Sequence, residues 1–380
     1  MKRLSCFLVA VALLAACSNN KDSDPPAKLV SFPQKLAVER AWSYGFGGKS
    51  KRLRLALRVA VADNVAYAAG YDGEIVALSA DHGRKLWSVK TKLPLSGGPG
   101  VGEGLVVVGA TDGTVLALDA QTGKERWRHR VSSEVLAAPQ IAKGIVVVRS
   151  VDGRLVALAS SDAKQRWAAD QTVPRLSLRG TASPVIVQDS VIAGFDNGRV
   201  VSVDLMSGDV QWDTALSTPK GRTELERLID IDAPVRVLGN DVFAAGFQGR
   251  IAMLARDSGQ IWWAHDFSSY RGFNVAGANI FASSSEGVVV AMRRTDGNVQ
   301  WEQQALRQRA LTAPAVDGDV LVIGDYEGYV HWLNAADGSL LARAKTDGER
   351  ITSAPLVADG LVYVQTDGGK VIAFATKAKS

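Results

Sequence analysis

The stretch Asp112–Trp127, DGTVLALDAQTGKERW, decides the fold because it recurs along the chain. Close copies are DGEIVALSADHGRKLW at Asp72–Trp87 and DGRLVALASSDAKQRW at Asp152–Trp167. Weaker copies begin at Asn197, Gln248, Glu286, Glu327 and Gly368, and successive starts lie 38 to 51 residues apart. A period of this length is typical of propellers and of helical repeats, so the pattern inside the repeat decides between them.

Each copy predicts short antiparallel strands. Apolar residues alternate with their neighbours, as at Val115 and Ala117, and β-branched runs such as residues 145–148 lie upstream. The Asp-Gly or Asn-Gly pair that opens most copies suits a tight hairpin, and a later Thr-Gly or Ser-Gly pair makes the next turn. Two hairpins give four strands in about 43 residues, which is the size of a propeller blade.

We therefore predict an all-β fold, an eight-bladed β-propeller of four-stranded antiparallel blades. The last copy ends at Phe374 before its closing tryptophan, whereas Trp42 precedes the first copy. We expect the N-terminal strand around Trp42 to pair with the C-terminal blade and so close the ring. Closure of this kind leaves no long sheet edge open at the ends of the chain.

A tryptophan ends most copies, and we expect its ring to pack against the neighbouring blade. Burial of one such ring contributes on the order of 3 kcal/mol. The seventh copy ends in Ala342 instead, which predicts a weaker seam there. The best copy, Ala117–Trp127, resembles the quinoprotein-type motif A-x-D-x-x-T-G-x-x-x-W.

The N-terminus predicts export and lipid attachment. Lys2 and Arg3 precede the apolar run 4–16, which is shorter than the roughly 20 residues that a membrane-spanning helix needs. The sequence LAAC at 14–17 resembles the lipobox of bacterial lipoproteins, and Ser18 resembles their outer-membrane sorting signal. We predict a signal peptide at residues 1–16, lipidated Cys17 with a flexible tether at residues 17–36, and the propeller at residues 37–380.

Composition and motif content exclude several classes of site. The formal net charge of +5 is too small to indicate nucleic-acid binding. The two cysteines, Cys6 and Cys17, exclude a disulfide-rich scaffold. The four histidines lack metal-ligand spacing, and no trio of carboxylates has the spacing of a calcium loop. We predict no catalytic residue, no metal site and no cofactor.

Two internal connections are longer than the others. They follow Trp167 and Trp212 and run for 30 and 36 residues to the next copy. Because the extra residues enter at the same point of adjacent blades, we expect both connections to emerge on one face. The first contains LSLRG at 176–180 and the second contains TELERLIDID at 223–232. Apolar residues among charges are typical of a contact site; the alternative is that the leucines cap the propeller's own core.

The lipobox, the tether, the eight repeats and the strings LSLRG and TELERLIDID together resemble the BamB family, the lipoprotein subunits of the outer-membrane β-barrel assembly machinery. The resemblance implies a non-enzymatic scaffold at the periplasmic face of the outer membrane. Such a scaffold docks on the periplasmic POTRA domains of BamA and aids the folding and insertion of outer-membrane proteins.

Carried over by motif, the resemblance implies docking residues at Leu176, Leu178, Arg179, Asp230 and Asp232. Leucines suit burial against a partner, and charged side chains set its orientation. The sequence leaves open whether Arg179 contacts the partner or pairs with Asp230 or Asp232 inside the protein.

Two other functions remain as alternatives. One is a periplasmic chaperone that binds unfolded outer-membrane proteins by adding their strands to blade edges. The other is a dehydrogenase that uses pyrroloquinoline quinone. Dehydrogenases with this repeat carry an adjacent cysteine pair beside the quinone, which this sequence lacks, so the quinone enzyme is the least favoured.

Overall fold

The computed structural model describes residues 24–47, 55, 57–178, 182–219 and 221–378. These residues form 32 β-strands in eight four-stranded antiparallel sheets, and each sheet is one blade of a ring. Within the described ranges there is no helix long and apolar enough to cross a membrane. The prediction of an all-β, eight-bladed propeller is confirmed.

Blades 1 to 7 each use four consecutive strands, and blade 8 combines three C-terminal strands with β1 (Leu36–Gly45). Blades 1 to 4 comprise β2 (Ala60–Ala62), β3 (Val65–Ala69), β4 (Glu74–Ser79), β5 (Lys85–Lys90); β6 (Leu95–Gly102), β7 (Leu105–Ala110), β8 (Thr114–Asp119), β9 (Glu125–Arg130); β10 (Gln140–Ala142), β11 (Ile145–Arg149), β12 (Arg154–Ala159), β13 (Gln165–Asp170); β14 (Val185–Val187), β15 (Ser190–Gly194), β16 (Arg199–Asp204) and β17 (Val210–Ala215).

Blades 5 to 8 comprise β18 (Arg236–Leu238), β19 (Asp241–Ala245), β20 (Arg250–Ala255), β21 (Ile261–Asp266); β22 (Phe273–Ala276), β23 (Asn279–Ser283), β24 (Val289–Arg293), β25 (Val299–Gln303); β26 (Ala315–Asp317), β27 (Val320–Gly324), β28 (Tyr329–Asn334), β29 (Leu340–Lys345); β30 (Leu356–Ala358), β31 (Leu361–Gln365) and β32 (Lys370–Ala378). The first strand of each blade lies innermost, and the hydrophobic core lies between neighbouring blades.

The ends of the chain meet in blade 8. There β1 pairs antiparallel with β32 and forms the outer strand of the sheet. Trp42 of β1 lies opposite Ala373, and its Nε1–H donates a hydrogen bond of 2.8 Å to the carbonyl oxygen of Ala80 in blade 1. The N-terminal strand therefore joins the last blade to the first.

Seven tryptophans of the described ranges join neighbouring blades in the same way. Each indole Nε1–H donates to a backbone carbonyl of the next blade at 2.7 to 3.1 Å. The ring also packs over a turn of that blade, and a Cβ at Gly123, whose φ is +70°, would lie 2.8 Å from the Trp87 ring. The seam residues are Trp42, Trp87, Trp127, Trp167, Trp212, Trp263 and Trp301.

Blade 7 builds its seam from the facing strand. Trp332 on β28 lies opposite Ala342 on β29, whereas in blade 2 Ala117 on β8 lies opposite Trp127 on β9. Trp332 is fully buried, and its ring centroid lies 5.7 Å from that of Phe374 in blade 8. The expectation of a weaker seam at Ala342 is wrong as regards packing, because the indole comes from the neighbouring strand. This seam lacks the indole hydrogen bond, since Trp332 Nε1 has no partner among the described residues.

Residues 24–35 lie against blade 7. Arg343 Nη1 donates to the carbonyl oxygen of Val30 at 3.2 Å, and the Lys35 N–H donates to the carbonyl oxygen of Leu341 at 2.8 Å. These bonds hold the described part of the segment that the sequence predicts as a flexible tether, and β1 begins one residue before the predicted start of the propeller. Cys17 lies outside the described residues.

Candidate docking surface

Two long connections meet beside blade 4. The first connection (residues 171–184) leads from β13 to β14, and the second connection (residues 216–235) leads from β17 to β18. The backbone N–H of Leu178 in the first donates a hydrogen bond to Oδ2 of Asp230 in the second. The two connections therefore contact each other on one face of the ring.

Three leucines of these connections face solvent. Leu176 and Leu178 are 40% and 38% exposed in the first connection, and Leu225 is 67% exposed in the second. Leu225 lies in a turn closed by Glu226, whose Oε2 accepts hydrogen bonds from the backbone N–H groups of Arg222 and Thr223 at 2.7 and 3.1 Å. The same bonds lower the pKa of Glu226. An apolar surface of this kind, rimmed by charged residues, suits contact with another protein.

The other apolar residues of the second connection cap the core. Leu228, Ile229 and Ile231 are buried, and Ile231 packs within the cluster between blades 4 and 5. A Cβ at Gly194 would lie 2.3 Å from Ile231 Cγ2, so the isoleucine takes the space that a side chain on β15 would need. The core-capping alternative therefore holds for these three residues.

Asp230 and Asp232, which the family resemblance implies as docking residues, are buried rather than displayed at the surface. Their carboxylates lie beside a buried ion pair in which Arg149 Nη2 contacts Asp196 Oδ1 at 2.5 Å. Arg149 Nη1 also donates to the carbonyl oxygen of Ala182 in the first connection at 3.2 Å. Asp230 therefore supports the first connection from inside, because it accepts the hydrogen bond from Leu178.

The electrostatics of this cluster favour protonation. Burial raises the pKa of Asp230 to about 7, and the neighbouring Asp196 carboxylate adds to the rise. Burial raises the pKa of Asp232 to about 8, with further contributions from Asp196 and Asp230. One oxygen of each, Oδ1, has no hydrogen-bond partner among the described residues. Arg149 offsets part of the negative charge of the three carboxyl groups, and Arg271 offsets part of that of Asp232. Burial and mutual repulsion nevertheless favour the neutral form of Asp230 and Asp232.

A cation could occupy the same place. Asp196, Asp230 and Asp232 each offer an oxygen within 4.8 Å of the others, which makes them the group of described residues able to share one ion. The sequence shows no calcium-loop spacing there because Asp196 lies between β15 and β16, far along the chain from the other two. Without an ion, the Arg149 guanidinium pairs with Asp196, and protonation of Asp230 and Asp232 reduces the remaining negative charge.

Of the predicted docking residues, the structure thus leaves Leu176 and Leu178 at the surface and buries Asp230 and Asp232, while Arg179 lies outside the described residues. Arg149, Asp196 and Leu225 are not among the residues that the sequence predicts for this site. A signal exists for Arg149, since it ends the apolar run 145–148 with a charge. Leu225 lies in the quoted string TELERLIDID, where composition alone does not separate it from the buried Leu228.

The chain is similar to proteins of one family over nearly its whole length. The profile of the family described as Outer membrane protein assembly factor BamB matches residues 71–303 and 285–379. A protein of that name from Pseudomonas aeruginosa is 44% identical over 99% of both chains, and one from Escherichia coli is 35% identical over 96% of both chains.

A comparison with solved structures also finds a member of this family. The crystal structure of BamB from Moraxella catarrhalis aligns with a TM-score of 0.82 at 27% identity, over 89% of this chain and 100% of that one. A quinohemoprotein alcohol dehydrogenase from Comamonas testosteroni aligns with a TM-score of 0.68 over 89% of this chain and 76% of that one, but at 15% identity it shows a shared fold alone. The chain belongs to the BamB family of outer membrane protein assembly factors.

Proposed function

We propose that this chain is a non-enzymatic lipoprotein scaffold of the outer-membrane β-barrel assembly machinery. In this proposal the lipid on Cys17 holds it at the periplasmic face of the outer membrane, and the first connection docks on the POTRA domains of BamA. The bound scaffold aids the folding and insertion of outer-membrane proteins. Family membership supports the assignment to this machinery.

The exposure of Leu176 and Leu178 carries the docking part of the proposal. Both lie on the first connection, where the backbone N–H of Leu178 donates a hydrogen bond to the buried Asp230. This bond holds the two leucines in their exposed position. A surface that is already ordered loses little conformational entropy on binding. In this proposal the two leucines supply apolar area, Arg179 and Asp232 supply charge that sets the orientation, and Asp230 holds the first connection in place.

The outer strands of the blades argue for docking through the connections rather than for capture of unfolded strands. β9, for example, carries the charged residues Glu125, Arg126, Arg128 and Arg130. Charged side chains on an edge strand oppose pairing with an added strand. Strand addition at blade edges, by contrast, would favour a flat and uncharged edge.

The test is capture of BamA from detergent-solubilised outer membranes by the lipidated protein. We expect Leu176→Ala combined with Leu178→Ala to lower BamA recovery roughly tenfold, because two apolar anchors are lost. The matched control is Leu86→Ala, since Leu86 is a similarly exposed leucine, at 45%, on β5 of blade 1. Leu86→Ala should capture BamA like the wild type.

Circular dichroism and urea unfolding confirm that both variants are folded. Wild-type recovery of BamA by the folded double variant would overturn the docking proposal. Crosslinks placed at residue 176 separate the two functions: a single main partner supports docking, whereas many different unfolded outer-membrane proteins support the chaperone.

A further inference from the structure

The innermost strands of the eight blades surround an axial cavity of about 430 Å³. Every blade contributes to its wall through residues in its first strand or just before it. This volume lies within the range of sites that bind small molecules and is far too small for a folded partner. The cavity is distinct from the exposed leucines of the first connection, which do not line it.

Three arginines line this cavity. Arg58 precedes β2, Arg236 begins β18, and Arg271 precedes β22, so three blades supply them. Each is partly shielded from solvent. Burial lowers the pKa of Arg58 to about 10, and the positive charge of Arg236 adds to that effect. The two guanidinium groups therefore lie close enough to repel each other and remain charged at neutral pH.

Among the described residues, no carboxylate forms an ion pair with these arginines, although the charge of Arg271 partly opposes the rise in the pKa of Asp232. Across the described ranges, no Asp or Glu oxygen lies within 4.0 Å of a nitrogen of these three side chains. Their hydrogen bonds are long ones to backbone carbonyls, from Arg236 Nε to Phe273 and from Arg271 Nη1 to Thr352, both at 3.4 Å.

One carboxyl group, that of Asp232, lies in the same wall. Even when it is ionised, it offsets only one of the three guanidinium charges, so the wall carries an excess of positive charge.

Three partly shielded guanidinium groups without ion-pair partners are unfavourable for the protein when the cavity holds no anion. Removing a guanidinium from water costs free energy that an opposite charge must offset. Arginine presents its N–H groups in a planar fork that matches carboxylate and phosphate oxygens. A small anion in the cavity would supply the missing charge and the missing acceptors together.

We propose that the axial cavity is a binding site for a small oxyanion that carries two or more negative charges on carboxylate or phosphate groups. Arg58 and Arg236 form the main charge pair of the site, and Arg271 extends it toward blade 6. The hydroxyl of Tyr270, beside Arg271 in the same wall, offers a further donor. This inference does not depend on docking to BamA.

The test is isothermal titration calorimetry of the intact mature protein with two probes, citrate and inorganic phosphate, in sodium chloride buffer of constant ionic strength. We expect saturable binding to one site. Arg236→Gln, which keeps an N–H donor and loses the charge, should weaken it at least about tenfold. The matched control is Arg166→Gln, because Arg166 is exposed on the outer strand of blade 3. This control should bind like the wild type.

A thermal melt checks folding and gives a second readout. The anion should raise the Tm of the wild type and of Arg166→Gln but not that of Arg236→Gln. Tighter binding of citrate assigns the site to carboxylates, and tighter binding of phosphate assigns it to phosphate compounds. The proposal is overturned if neither probe binds more tightly than about 1 mM, or if both arginine variants bind equally well.

Discussion

The two connections beside blade 4 use similar residues in opposite ways. The first connection exposes Leu176 and Leu178, whereas the second connection buries Ile229 and Ile231. Both depart from the ring at equivalent points, after the outer strand of a blade. The first connection therefore provides surface, and the second provides mainly support, with Leu225 as its exposed leucine. In the sequence, both consist of apolar residues among charges.

The difference comes from the register of each connection against the ring. The N–H of Ile231 donates to the carbonyl oxygen of Phe195 at 3.1 Å, just as the N–H of Ile351 donates to that of Asp325 at 3.1 Å before blade 8. Ile231 thus occupies a position that recurs around the propeller and belongs to its core. Leu176 and Leu178 lie in the residues by which the first connection exceeds the shorter connections, and these residues have no equivalent position in the other blades.

The largest expected effect is the loss of stability on shortening Ile231. We expect Ile231→Ala to lower the free energy of unfolding by about 3 kcal/mol, because it removes buried methyl groups and leaves a cavity against Gly194. Leu176→Ala should change it by less than about 0.5 kcal/mol, because its side chain is partly in solvent. Urea unfolding of the two variants measures both values. Equal losses of unfolding free energy would contradict the conclusion that Ile231 supports the fold whereas Leu176 belongs to the surface.

The second effect is on the pH dependence of stability. Burial raises the pKa of Asp230 to about 7 and that of Asp232 to about 8 in the folded state, whereas an unfolded aspartate titrates near about 3.9. Between these values the folded state holds protons that the unfolded state releases. The free energy of unfolding contributed by these groups is therefore largest at low pH and falls as the pH rises toward 8.

Asp232→Asn fixes the neutral form of that side chain. We expect the variant to lose part of the decline between pH 5 and pH 8 and to be more stable than the wild type at pH 8. The gain is several kcal/mol, because a pKa about four units above the unfolded value corresponds to about 5 kcal/mol. Asp257→Asn, at an exposed aspartate of blade 5, is the control and should keep the wild-type slope. Chemical denaturation at several pH values gives the slopes. A wild-type profile that rises from pH 5 to pH 8, with no change in Asp232→Asn, would contradict the raised pKa.

The fold could be predicted from the sequence because its signals are local and repeated. Hairpin turns and alternating strands recur in all eight blades, and a closing tryptophan recurs in seven of them. An unusual residue in one copy therefore does not change the prediction. The exchange of Trp332 and Ala342 between facing strands escaped prediction, because a linear motif places the indole on one strand and cannot show that its cross-strand neighbour fills the same space.

The candidate surface could be predicted only in part. The position of the connections follows from their length, but the burial of Asp230 and Asp232 depends on Arg149, which lies about two blades earlier in the chain. A carboxylate in a loop is ordinarily solvated, and only the three-dimensional neighbourhood reveals a buried counter-charge. The family resemblance pointed to these two connections but did not separate their exposed leucines from their buried aspartates.

The smallest effect concerns the link between the two connections, the hydrogen bond from the Leu178 N–H to Asp230 Oδ2. Asp230→Ala removes the acceptor, and Asp230→Asn retains one oxygen in the same place. Because one such bond contributes about 1 kcal/mol, we expect amide exchange at Leu178 to become about fivefold faster in Asp230→Ala and to stay near the wild-type rate in Asp230→Asn. Hydrogen exchange followed by mass spectrometry of peptides from residues 171–178 measures this. If Asp230 instead contacted a partner directly, exchange in the isolated protein would be the same in all three forms, and the support would have to come from elsewhere in the second connection.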